Sequence, residues 1–397
     1  MRDTTDIRAL IVLMLCQALA MTCTALVVTT TALAGRMLAS DPALATFPLA
    51  IQFLSLMVAT RPAAAFMGRY GRRNGFRIGA ISGSLAGILA SYAILIGSFM
   101  LFCLGAALTG IFLAHAMHYR FAAADTAPPA FQSQAISLVV AGGVFAAVAG
   151  PQLANLAKDL FAPIPFAGAY AVLGGLCALQ FLVLQFNTLP DAGTGPPAAA
   201  DPAEAVTATG RGQLIAAVAC GMVGYGSMNL VMAVTPPAIA DCGFGFGAAA
   251  FVIQWHVFAM YAPAFATGYL IRRLGLSAVL LTGVAAMLAA VAVNLAGLTL
   301  GHFSVGLVLL GVGWSFLFVG ATTWLTRVPV SATAAQLQGL NDLWVFGTVA
   351  ATSLGSGWLF DALGWRAVNL AIVPGLLLVA LLVLRQESRP AVRKPVS

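Results

Sequence analysis

Charged residues are scarce in this sequence. Only 8% of its 397 residues are Asp, Glu, Lys or Arg, and 61% are hydrophobic. Soluble proteins carry about a quarter charged residues, so this chain cannot cover a water-facing surface of ordinary size. Its apolar runs are long and continuous rather than alternating. Because lipid offers the backbone no hydrogen-bond partner, such runs predict transmembrane helices.

Motifs for catalysis, nucleotide binding and nucleic-acid binding are also missing. The sequence has no Walker loop, no glycine-rich dinucleotide turn after a strand and no basic stripe with interleaved aromatic residues. We therefore expect neither an enzyme nor a nucleic-acid-binding protein, and no prosthetic group. The six cysteines lie mostly inside apolar runs, which does not favour a disulfide framework.

Hydropathy divides the chain into about twelve predicted spans. A segment rich in Pro, Ala, Gly and acid, residues 188–212, predicts a cytoplasmic linker between six-helix bundles at residues 1–187 and 213–397. The expected fold class is thus an all-α membrane protein. A cleaved signal peptide is the competing interpretation of the first run, which is long for a signal core. The predicted spans are 9–33, 43–66, 76–97, 99–119, 133–157, 163–187, 213–238, 246–270, 276–297, 303–325, 335–360 and 364–385.

Basic residues indicate the orientation. Most Lys and Arg residues fall at the termini or in loops on one side of the spans, whereas Arg36, Lys158 and Arg366 fall on the other. Loops rich in Lys and Arg remain in the cytoplasm. We therefore expect a multi-pass protein of the bacterial cytoplasmic membrane, surrounded by lipid, with both termini in the cytoplasm.

A short internal repeat links the two halves. Arg69 and Gly71, after the second span, recur 204 positions later as Arg273 and Gly275. The pattern Gln-x-Gln at 132–134 recurs at the same offset. Two matches at one offset, both in equivalent loops, favour a duplicated architecture.

The basic loop after the second span resembles the signature loop of the major facilitator superfamily, G-x-x-x-D-R-x-G-R-R. Arg69, Gly71, Arg72 and Arg73 match it, whereas Gly68 stands where the family has aspartate. The resemblance implies two six-helix bundles that rock about a substrate site near the middle of the membrane. It also implies that this loop latches the halves through charge pairs, which the missing acid puts in question.

Soft metal ligands recur at helical spacing in the seventh and eighth spans. Met228 and Met232 lie four residues apart in one span, and His256 and Met260 in the next. Residues four apart share a helix face. Thioether sulfur and neutral imidazole are ligands that suit Cu(I). Packing is the alternative, because methionine commonly fills gaps in apolar cores.

This pair of motifs resembles the CcoA-type copper importers, a branch of the major facilitator superfamily. The resemblance implies that copper, as Cu(I), is imported for assembly of cbb3-type cytochrome oxidase. It assigns the metal ligands to Met228, Met232, His256 and Met260. We expect a monomer that exchanges copper with periplasmic or cytoplasmic chaperones.

Five further residues are candidates for moving the substrate ion or coupling it to protons. Cys220, in the seventh span, and Cys242, in the loop that follows, offer thiolates. Met21 and Cys23 lie on the first span, which lines the cavity in this superfamily. Packing is the alternative for each of them. Asp342 lies inside the eleventh span, where an acid is costly, and is either a proton site or a polar contact near a helix end.

Two other functions compete with copper import. Export of an amphipathic organic cation would rest on a roomy aromatic cavity. A non-transporting copper sensor or assembly scaffold would call for an appended soluble domain, and only a short tail follows Arg385. Import rather than export is implied by the resemblance alone.

Overall fold

The computed structural model describes residues 7–128, 142–186, 208–325 and 334–387, together with 135, 138–139 and 328. Within these ranges the regular structure is helical and includes no strand, which confirms the expected all-α fold class. The Gln-x-Gln pattern at 132–134 and residues 188–207 of the predicted linker lie outside the described residues.

The helices follow the predicted spans closely. The clearest difference in the described part is that residues 208–212 of the predicted linker are already helical. Two short 3-10 helices, Pro42–Leu44 and Leu184–Phe186, accompany the main helices. The main helices are α1 (Ile7–Leu38), α2 (Phe47–Tyr70), α3 (Arg72–Leu95), α4 (Phe99–Ala116), α5 (Tyr119–Asp125), α6 (Gly142–Ala157), α7 (Ala167–Val183), α8 (Ala208–Asp241), α9 (Phe246–Tyr261), α10 (Ala264–Leu274), α11 (Leu276–Ala296), α12 (Leu300–Leu325), α13 (Ala334–Ala371) and α14 (Val373–Glu387).

Within the described residues, nine helical segments are long and apolar enough to cross a membrane. One of them, Gly339–Arg385, contains a break at Gly364, where φ is 74°. This break separates the last two predicted spans. The eighth predicted span, 246–270, is not one straight helix: α9 and α10 meet at an angle of 43°. The bend falls at Pro263, whose ring removes a backbone N–H.

The apolar side chains form two cores, one in each half of the chain. The first is built mainly from residues 9–184 and the second from residues 216–383. Ala233, Phe346 and Val349 belong to the second half of the chain but pack in the first core. Such residues mark the seam between the halves, where α2 packs on α13, α6 on α9 and α1 on α8.

The internal repeat in the sequence is also a repeat of backbone conformation. Gly71 joins α2 to α3 with φ 87° and ψ 152°, and Gly275 joins α10 to α11 with φ 89° and ψ 159°. Each glycine N–H donates to the carbonyl four residues earlier, on Met67 and Ile271. This region of φ and ψ is open essentially to glycine alone. We call the end of the molecule that holds these corners the arginine-rich face, and the other end the opposite face.

Candidate functional site

Direct contacts between the halves close the seam at the opposite face. The guanidinium of Arg36, on α1, lies 2.5 Å from the carboxylate of Asp241 at the end of α8. The hydroxyl oxygen of Thr46 accepts a hydrogen bond from the backbone N–H of Gly357 at 3.0 Å. Beside these contacts lies a cavity of about 360 Å³.

Five aromatic rings meet nearer the middle of the seam, and we call them the aromatic box. Trp314 and Phe318 on α12 are stacked, with centroids 4.9 Å apart. Tyr225 on α8 meets their edges at 5.4 and 5.7 Å and also contacts Phe346 on α13 at 6.0 Å. Tyr261, at the end of α9, lies 6.1 Å from Trp314. Four helices of the second half therefore contribute to one cluster of rings.

The first half of the chain borders the aromatic box as well. The hydroxyl of Tyr261 donates to the sulfur of Met21 on α1 at 3.5 Å. A Cβ atom added at Gly143, on α6, would lie 3.2 Å from the same tyrosine ring. Tyr225 packs against both cores. The box therefore lies between the two halves of the chain.

The aromatic box contains polar groups as well as rings. Tyr and Trp are enriched at membrane surfaces, so Tyr225 and Trp314 are unusual in the middle of their helices. The indole N–H of Trp314 is buried and has no hydrogen-bond partner among the described residues. Aromatic rings stack on flat rings or meet them edge to face, with about 0.5–1.5 kcal/mol per pair beyond area burial. The box therefore combines aromatic faces with one buried N–H donor that has no partner among the described residues.

The four predicted metal ligands are all buried. Met228, Met232 and Met260 belong to the second core, and His256 is fully buried on α9. The imidazole Nδ1 of His256 lies 2.7 Å from the carbonyl oxygen of Leu307 on α12. Because a carbonyl can only accept, Nδ1 carries the proton. In the neutral imidazole Nε2 is the unprotonated nitrogen, and here it is buried without a hydrogen-bond partner in the described part of the chain.

Both soft-ligand motifs pack against α12 from neighbouring helices. A Cβ atom at Gly311 would lie 2.7 Å from the carbonyl oxygen of His256. A Cβ atom at Gly224 would lie 2.9 Å from Leu317, and Met228 follows Gly224 by one turn on the same face. Across the described ranges, no group of three or more His, Cys, Asp or Glu side chains could hold a metal ion. A metal site at these helices would therefore depend on methionine sulfur.

The structure separates the candidate relay residues. Cys220 is buried within the second core, and Cys242 lines the cavity at the opposite face. Met21 reaches the seam through Tyr261. Cys23 points elsewhere, because its sulfur lies 3.8 Å from that of Cys177 in the first core. These four residues therefore have different surroundings, and a relay through them stays a prediction.

Asp342 lies near the seam toward the arginine-rich face. It accepts a hydrogen bond from Asn341 at 3.4 Å. It also lies within electrostatic range of Arg120 on α5, in the other half of the chain. Asp342 therefore has a polar neighbour on its own helix and a positively charged neighbour in the other half of the chain. Whether it is a proton site or a polar contact near a helix end stays a prediction.

The described contacts of the signature-like loop lie within the first half. Arg72 forms an ion pair with Asp125 at 2.7 Å, and Arg73 donates to the carbonyl of Gln185 at 3.1 Å. The remaining predicted residues of this motif contact their own helices: Arg69 lies over the ring of Tyr70, and Arg273 donates to Tyr269. These contacts anchor the loop within the first half of the chain.

The aromatic box was not among the sequence predictions. A signal was available, since Tyr225, Tyr261 and Trp314 lie inside predicted spans and away from the membrane surfaces where such residues concentrate. Their convergence depends on how α8, α9, α12 and α13 pack, which no local pattern specifies.

Two helical cores, a repeated corner and a site between the halves define a multi-pass membrane transporter. The chain belongs to the major facilitator superfamily, whose sequence model matches residues 12–351. This establishes a secondary transporter, and the relatives and structural neighbours below are transporters rather than enzymes.

Sequence relatives extend over most of the chain. The riboflavin transporter RfnT of Brucella anthropi is 37% identical over 394 residues, which are 98% of this chain and 99% of that protein. The uncharacterized MFS-type transporter YdeG of Bacillus subtilis is 29% identical over 356 residues, 85% of this chain and 82% of that protein. Of these two, the one with a named substrate transports riboflavin, so the comparisons support the superfamily and leave the copper branch without support.

Solved structures share the fold. The xylose transporter XylE from E. coli, in a partially occluded inward-open conformation, has a TM-score of 0.73 at 13% identity, with 98% of this chain and 99% of that chain covered. A bacterial homolog of the human lysosomal transporter Spinster has a TM-score of 0.68 at 18% identity, with 96% and 98% covered.

Proposed function

We propose that this protein transports riboflavin, or a closely related flat heteroaromatic vitamin, into the cell by alternating access. The observation that carries the proposal is the aromatic box at the seam, combined with the likeness to the riboflavin transporter of Brucella anthropi along almost the whole chain. The flavin ring system is flat and carries carbonyl acceptors at one edge. Stacked Trp314 and Phe318 match its shape, and the unpartnered indole N–H of Trp314 matches such an acceptor.

Riboflavin is uncharged, which agrees with the chemistry of the box. Its five residues are Trp, Phe and Tyr, and none of them carries a charge at neutral pH. A neutral substrate can enter the middle of the membrane without a buried counter-charge. The bias of Lys and Arg toward one face supports an orientation in which the arginine-rich face is in the cytoplasm of an inner-membrane protein.

Growth of a riboflavin-requiring bacterium tests the proposal. We expect expression of this protein to restore growth at low external riboflavin, together with saturable uptake of labelled riboflavin. Lack of rescue by a protein that is present in the membrane at normal abundance would contradict the assignment. Changed drug susceptibility without riboflavin uptake would instead favour export of amphipathic cations.

Copper import is the second candidate, and one contact favours it. Ligating histidines commonly donate their second ring N–H to a backbone carbonyl, which fixes the tautomer. His256 has this arrangement through Leu307, with Nε2 left free. Met228, Met232 and Met260 supply soft neutral sulfur on the same two helices. The same hydrogen bond pins α9 to α12.

Accumulation of ⁶⁴Cu separates the two candidates. If copper is the substrate, Met228→Ala and His256→Ala each abolish uptake, whereas Met100→Ala, at a position 77% exposed, leaves it intact. If riboflavin is the substrate, the wild-type protein does not raise ⁶⁴Cu accumulation above that of cells lacking it.

A further inference from the structure

A buried asparagine lies one helical turn from the aromatic box. Asn229 follows Tyr225 by four residues on α8, so both occupy one face of that helix. Its side-chain Nδ2 lies close to three oxygens of α13: Val349 O at 3.2 Å, Thr352 Oγ1 at 3.1 Å and Ser353 Oγ at 2.8 Å. The amide is therefore held in a fixed direction against α13.

The other end of this amide has no partner. Asn229 is 1% exposed, and its Oδ1 is buried without a hydrogen bond within the described structure. Buried acceptors are nearly always satisfied, and an exception calls for an explanation. A polar group inside a membrane-spanning helix is costly, and such groups mark substrate pathways.

The position of Asn229 places this acceptor at the seam. Tyr225, one turn before it, packs against both cores, and Ala233, one turn after it, belongs to the first core. The three residues share one face of α8. Asn229 therefore lies between the halves, on the side of the box toward the closed opposite face.

We propose that Oδ1 of Asn229 accepts a hydrogen bond from a hydroxyl group on the side chain of the substrate, while the aromatic box holds the ring. The inference rests on the proposed function and deepens it, because it names the substrate class as a flat ring that carries a polyhydroxylated chain. Successive turns on one helix face are about 6 Å apart, which suits a ring and a chain joined in one molecule. Asn229 is then a specificity-determining residue.

Flavin fluorescence measures this selectivity directly. Purified protein in detergent is titrated into riboflavin and into lumiflavin, which has the same ring but a methyl group in place of the hydroxylated chain. We expect the wild-type protein to bind riboflavin more tightly. We expect Asn229→Ala to weaken riboflavin binding about tenfold, the equivalent of one hydrogen bond, and to leave lumiflavin binding unchanged.

Asn294→Ala is the matched control. Asn294 is also a buried asparagine of the second half with an unpartnered Oδ1 among the described residues, but it bonds Asn369 within that half. We expect both ligands to bind this variant as they bind the wild type. Equal weakening of both ligands by Asn229→Ala would indicate a packing role and overturn the inference, as would no change in either ligand.

A second variant keeps the inference testable if Asn229→Ala does not fold. Ser353→Ala removes one oxygen that holds the amide but leaves Asn229 in place, so a smaller loss confined to riboflavin is expected. A Ser353→Ala protein that binds riboflavin and lumiflavin as the wild type does would contradict the inference. If the wild-type protein binds neither ligand, the proposed function fails and the inference fails with it.

Discussion

At the scale of single residues, Trp314 is the centre of the proposed site. It stacks on Phe318, meets Tyr225 and Tyr261, and retains a buried donor without a partner in the described structure. Tyr225 also contacts three members of the box, but Trp314 adds the buried N–H donor. Removal of Trp314 therefore tests the stacking surface and the hydrogen-bond donor together.

We expect Trp314→Ala to lower riboflavin uptake at least about tenfold, since it removes both stacking and a hydrogen-bond donor. Trp314→Phe keeps a ring and should retain part of the uptake. Trp358→Ala is the control, because Trp358 is 60% exposed on α13 and should transport normally. Uptake of labelled riboflavin per copy of protein in the membrane measures all three, and an unimpaired Trp314→Ala protein would exclude this tryptophan from the site.

The contacts of individual side chains could not be predicted from the sequence. The spacing of Met228, Met232, His256 and Met260 predicted soft donors on two successive spans, and these residues lie on α8 and α9. The pattern left open what each side chain contacts, because Leu307 is 51 positions from His256 and is brought to it by the packing of α9 on α12. Asn229 lies beside Met228 in the sequence, yet its role depends on α13, more than a hundred positions away.

At the scale of elements, the two corners at Gly71 and Gly275 are the positions where the backbone conformation most strongly requires glycine. Gly71 and Gly275 adopt φ and ψ values at which any residue with a Cβ atom is strained. Alanine at either position should cost about 1–3 kcal/mol of stability. Gly68 and Gly268 lie within helices with open space around them, so they are matched controls.

We expect Gly71→Ala and Gly275→Ala to lower the thermal unfolding temperature of the purified protein, and Gly68→Ala and Gly268→Ala to leave it unchanged or slightly raised, since alanine favours helix over glycine. Both corner variants matching their controls would show that the strained conformation is not retained in the protein.

Helices were the most predictable elements, because a span must be long, apolar and internally hydrogen-bonded in lipid. The break at Gly364 was anticipated by the gap between the last two predicted spans. The bend at Pro263 was missed because hydropathy remains high across it. Hydropathy reports burial in lipid and carries little information about the direction of a helix.

At the scale of the whole molecule, the conformation is closed at the opposite face. Transport requires the contacts Arg36–Asp241 and Thr46–Gly357 to open once in each cycle. Cys242 lines the cavity beside them and is the part-exposed cysteine, whereas the other five are buried. The reactivity of the native Cys242 can therefore be used to measure opening of the opposite face.

We expect Arg36→Ala to raise the rate at which Cys242 reacts with a membrane-impermeant maleimide several-fold. Burial first, and the carboxylate of Asp241 second, raise the pKa of this thiol. Removing Arg36 leaves the Asp241 carboxylate unpaired, which favours the protonated thiol of Cys242 over the thiolate. This effect alone would slow the reaction with maleimide, so faster labelling would indicate that the opposite face opens more often. Labelling of both proteins should increase as pH rises toward the thiol pKa, since the thiolate reacts.

Arg366→Ala is the control for this experiment, because Arg366 is exposed on the same face. Its labelling rate should match the wild type. If Arg36→Ala also labels at the wild-type rate, the ion pair does not hold this face closed.

The membrane fold and the superfamily followed from the sequence because composition, charge bias and the 204-residue repeat each act along the whole chain. The substrate could not be predicted from the sequence, because specificity arises where α8, α9, α12 and α13 meet at the seam with α1 and α6. Met228 and Tyr225 are one turn apart on α8, and only packing distinguishes a copper site from an aromatic one.

The central claim is tested most directly by riboflavin uptake into liposomes that contain only this purified protein. The account predicts saturable accumulation of labelled riboflavin that excess unlabelled riboflavin blocks and that Trp314→Ala lowers at least about tenfold. No riboflavin uptake by wild-type liposomes that do accumulate ⁶⁴Cu would contradict it and would assign the seam to copper.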